Sequence, residues 1–86
     1  MTDQLVIREV KSLLHLLKVN KYAEADTRLE EFQTKMPKKW DGILHPDVVN
    51  IWIRTRIAVN SNDQSSYIEH IEEELGFLKA LGIGTN

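Results

Sequence analysis

No cysteine occurs among the 86 residues. Neither a disulfide framework nor a thiolate metal site is therefore available, and a small domain without such staples is expected in the cytoplasm. Proline occurs only at Pro37 and Pro46, and glycine only at Gly42, Gly76, Gly82 and Gly84, so the chain breakers fall in the middle and at the end. No apolar run approaches the roughly 20 residues that cross a bilayer, and Met1 to Leu5 place no basic segment ahead of an apolar one. Neither a membrane span nor a secretion signal is expected. No glycine-rich loop precedes a helix, and the hydroxyls of Ser61, Ser65, Ser66 and Thr85 fall mainly at turns, where capping accounts for them. With no paired carboxylates in an apolar setting, no catalytic residue, cofactor or metal site is expected, and the chain does not read as an enzyme.

An excess of one charge is missing too. Eleven Lys and Arg oppose thirteen Asp and Glu, a formal net charge of -2, which is not the footprint of a dedicated DNA binder. The balance is uneven along the chain: residues 63–86 carry only Lys79 against five acidic side chains, which makes this the acidic end. The length suits one domain, residues 1–86, with one core. Such a domain buries only about 60 to 65% of the surface its unfolded chain exposes, so self-association or complex formation is the natural expectation.

What the chain does have is apolar residues at the helical period, with no alternating run long enough for a strand. Four helices are predicted, over about residues 3–18, 21–35, 46–59 and 63–81. Asp3 is expected to cap the first, and Asn20, which tolerates the left-handed conformation, to end it. Val6, Val10, Leu13, Leu14 and Leu17 form its main stripe; Tyr22, Ala25, Leu29, Phe32 and Met36 form that of the second helix. Pro46 and Asp47 suit the first turn of the third helix, and residues 60–63 form a second turn. Tyr67, Ile68, Ile71, Leu75 and Leu78 stripe the fourth, which Gly82 and Gly84 stop.

The implied fold is all-α: two antiparallel helical hairpins joined by a loop of about nine residues, as in a small four-helix bundle. Helices two and four read as one-sided. The first adds Leu5, Ile7 and Leu16 outside its stripe, and the third is apolar over most of its circumference, including Val49, Ile53 and Ile57. Helices one and three are thus expected to be the inner pair, or to carry an additional contact surface.

Within residues 20–37, Asn20 stands at a turn, Tyr22 two positions later, then Ala25, Leu29 and a terminal Pro37. This order resembles the second half of a tetratricopeptide (TPR) repeat, a helix-turn-helix unit of about 34 residues. The first helix departs from that pattern, with Glu9, Ser12 and Leu13 where the family has Trp, Leu and Gly, and Phe32 replaces a small residue. The resemblance implies antiparallel helix pairs and a protein-binding role, as in helical adaptors and secretion-type chaperones.

The candidate partner-binding residues follow. Lys35, Lys38, Lys39 and Trp40 form a basic and aromatic cluster that suits a protein hot spot, single-stranded nucleic acid, or a Trp40 plug for the open end of the bundle. Arg54 and Arg56 on the apolar third helix must reach solvent or carboxylates, Glu69, Glu72, Glu73 and Glu74 being the nearest supply. Otherwise they rim an exposed stripe of Ile53 and Ile57. Leu16 joins these as an apolar side chain outside its helix's stripe. His70 and Glu74, four apart, share a helix face without a third ligand. The leading expectation is a protein-protein interaction module that binds a protein partner or forms a homo-oligomer through helices one and three or the Trp40 loop. The alternative is a nucleic-acid-linked accessory protein using residues 35–40.

Overall fold

Four α-helices make up the computed structural model, which describes residues 2–36, 43–61 and 65–84: α1 (Asp3–Lys18), α2 (Tyr22–Lys35), α3 (Pro46–Asn60) and α4 (Ser65–Ala80). No strand occurs among the described residues. The cap of α1 differs from the expectation. Thr2, in extended backbone, accepts from Leu5 N at 3.2 Å, while Asp3 is already helical. Its carboxylate is drawn instead to the backbone N–H of His45 at 2.9 Å, just ahead of α3. This bond sets the N-termini of α1 and α3 side by side, so these two helices run in the same direction. His45 caps α3, its Nδ1 accepting from Asp47 N at 3.1 Å, and Pro46 fills the first helical position, where no N–H is needed.

Two helices end alike. Asn20 has φ of 63°; Lys21 N donates to Leu16 O at 2.9 Å and Asn20 N to Leu17 O at 3.2 Å. Gly82 has φ of 74°; Ile83 N donates to Leu78 O and Gly82 N to Lys79 O, both at 3.0 Å. These paired bonds satisfy the last carbonyls of each helix and reverse the chain. The three-residue turn after α1 folds α2 back along it as an antiparallel neighbour.

α1 packs against α2, α3 and α4, and α3 against α1, α2 and α4, whereas α2 and α4 do not touch among the described residues. The inner pair is therefore α1 and α3, in agreement with their broader apolar surfaces. Val6, Val10 and Leu13 of α1 share the fully buried centre with Val48, Ile51 and Trp52 of α3. Ala25 and Leu29 close it from α2, and Ile71 and Leu78 from α4. Tyr22 is an exception to the α2 stripe: it is half exposed, its hydroxyl donating to Asn20 Oδ1 at 2.6 Å. Phe32 tilts against Trp52, ring centroids 5.0 Å apart.

Candidate interaction surface

The face of α3 opposite the core carries the side chains on which a contact surface would depend. Stepping 100° per residue around α3 puts the buried Val48, Ile51, Thr55 and Ala58 on one side and Ile53 and Ile57 on the other. Ile53 is 41% and Ile57 46% exposed, one turn apart, forming an apolar ridge. With Arg56, Asn60 and Ser61 they line a shallow depression. Arg54, on one flank of the ridge, forms an ion pair with Glu74 of α4. Arg56, on the other flank, is exposed and makes no ion pair with a described residue. The two arginines thus divide between the two readings of the sequence, one tied inside the molecule and one left at the rim.

Leu16 is half buried and lines two shallow hollows between α1 and α2, so it is less available than the ridge. Lys38, Lys39 and Trp40 lie outside the described residues, as does the proposed Trp40 plug; of that cluster only Lys35 is placed, exposed at the end of α2. His70 is exposed, and Glu74, its partner in the ligand pair weighed above, is occupied by Arg54. Among the described residues no three His, Asp or Glu side chains converge to hold a metal ion. Nor is any helix among them long and apolar enough to cross a membrane.

A second apolar feature lies on α4, which reads from sequence as one-sided and is not. Phe77 is 61% and Leu81, one turn on, 55% exposed. With Asp47 and Asn50 of α3 and with Glu73, Glu74 and Leu78 of α4, Phe77 lines a groove of about 360 Å³. The signal was present as Phe77 and Leu81, spaced i, i+4 and outside the stripe of Tyr67, Ile68, Ile71, Leu75 and Leu78, which by itself made α4 read as one-sided.

The outer face of α1 is basic. Arg8, Lys11 and His15 line a hollow with Ser12, Leu16 and Arg28, and none of the first three forms an ion pair with a described residue. Arg28 donates from Nε to Glu9 Oε1 at 2.7 Å and from Nη2 to Oε2 at 3.2 Å, a two-pronged bond between α2 and α1. That bond and the carboxylate's charge raise the guanidinium's pKa above its ordinary value. No protein-family model, curated protein or solved structure matches the chain.

Proposed function

We propose that this chain is a small protein-protein interaction module of the cytoplasm, an adaptor, chaperone or inhibitor that docks a protein through the outer face of α3. The observation that carries the reading is the ridge of Ile53 and Ile57, left nearly half exposed on a helix whose opposite face is fully buried. Covering these two side chains is worth roughly 2 kcal/mol in all, or about thirtyfold in affinity. Arg56 at the margin, in no ion pair with a described residue, supplies a charge for orienting an acidic rim on the partner. The likeness of residues 20–37 to a TPR hairpin and the absence of cysteine support the same reading.

The test compares the polypeptides retained by the immobilised chain and by an I53E/I57E double variant of it. A protein held by the first and released by the second is the expected result. Equal retention by both, for every polypeptide recovered, overturns docking through α3.

A further inference from the structure

We propose that the chain also binds a second copy of itself, the basic outer face of α1 on one molecule seating on the acidic outer face of α4 on the other. This deepens the interaction reading by naming one partner, and it uses a surface separate from the Ile53–Ile57 ridge.

Three observations carry it. The two faces are complementary in charge. On α1, the cations Arg8 and Lys11 stand three residues apart, about 5 Å along the helix, and His15 continues the same strip four residues on. On α4, Glu69 and Glu73 lie one turn apart, both exposed and neither in an ion pair with a described residue. The neighbouring carboxylates Glu72 and Glu74 are already held by Lys18 and Arg54. Both faces also carry apolar side chains at the margin, Leu5 and Leu16 on α1, Phe77 and Leu81 on α4.

The third observation is Gly76. It sits inside α4, where glycine weakens a helix, and a β-carbon there would meet none of the described residues within 4 Å. Packing among the described residues therefore does not call for it. At 100° per residue Gly76 and Ala80 fall on the same outward strip as Glu69 and Glu73. A second helix can approach this strip closely, its basic side chains reaching the two glutamates while Phe77 covers its flank.

Joining two different faces makes the contact heterologous, so it propagates head to tail unless the geometry closes a ring. A formal charge of only -2 leaves little net repulsion between copies.

Sedimentation equilibrium of the purified full chain, from about 10 μM to about 1 mM, tests the proposal. At about 0.05 M salt the average mass is expected to rise with concentration, and at about 0.5 M the association is expected to weaken on the order of tenfold, since screening shortens the reach of exposed charges. R8E/K11E and E69K/E73K are each expected to remain monomeric, whereas their equimolar mixture recovers a complex through the intact α1 of the second and the intact α4 of the first. Gly76→Gln is expected to raise Tm by about 3 to 6 °C through helix propensity and yet to abolish association, a pairing that general destabilisation does not produce. A wild-type chain monomeric throughout, or a mixture that stays monomeric, overturns the proposal. Association untouched by Gly76→Gln overturns it also. Retention of a partner lost only with I53E/I57E would leave the α3 reading standing in each of those cases.

Discussion

Trp52 is the largest fully buried side chain among the described residues, and none of these offers its indole Nε1–H an acceptor. A buried donor left unmade costs about 1 to 3 kcal/mol, so the indole stays for its bulk against Phe32. Trp52→Ala is expected to lose about 3 to 5 kcal/mol. Trp52→Phe keeps a ring and removes the orphan donor, and is expected to lose less than half as much; urea denaturation of the two variants checks the ratio. Thr55 is the contrasting case, its buried hydroxyl donating to Ile51 O at 2.8 Å. Arg28 adds no acid sensitivity through its raised pKa. A group raised in the folded state contributes stability present below its unfolded pKa and lost as pH rises through the folded one, here only in strong alkali.

Helix ends are where single elements are vulnerable. At Gly82 no described residue lies within 4 Å of a would-be β-carbon, so Gly82→Ala is opposed by its left-handed backbone and is expected to cost about 1 to 2 kcal/mol. Gly84, at φ of 67°, faces Ile7 Cδ1 as well, so Gly84→Ala must also displace that side chain. Thermal melts are expected to rank Gly84→Ala below Gly82→Ala, and equal losses would argue that the turn after α4 is not seated on α1. At Asn20 the same reasoning predicts that Asn20→Gly is neutral or stabilising and Asn20→Ala destabilising, the small exposed bond to Tyr22 being the only loss in the first.

For the molecule as a unit, a radius of gyration of 12.2 Å matches the about 12 Å expected of a compact chain this long. Its 18 Å thinnest dimension holds about two layers of helices. In so thin a body each helix keeps an outer face, and the outer faces differ: basic on α1, apolar with arginine on α3, acidic with Phe77 on α4. Substitutions there are expected to separate association from folding. I53E/I57E should unfold within about 1 kcal/mol of wild type, because neither side chain is in the core. Leu13→Ala, fully buried in α1, should lose about 2 to 5 kcal/mol. If the ridge variant is as unstable as the core variant, the ridge belongs to the fold and not to a partner.

Helix number, the turn at Asn20, the start at Pro46 and the inner placement of α1 and α3 were all legible in the residues. Each rests on local chemistry: a 3.6-residue period, a backbone that tolerates positive φ, a missing N–H, the width of an apolar arc. The cap fell to Thr2 and not to Asp3 because the Asp3 carboxylate accepts from the backbone N–H of His45, 42 residues away. Arg54 and Arg56 looked equivalent until packing brought Glu74 to the first. Phe77 lay outside the α4 stripe, and that it stays 61% exposed was decided only when α3 took its place beside α4. Periodicity reports which side chains share a face, but whether that face is covered depends on neighbours distant in sequence, and those are set only when the helices assemble.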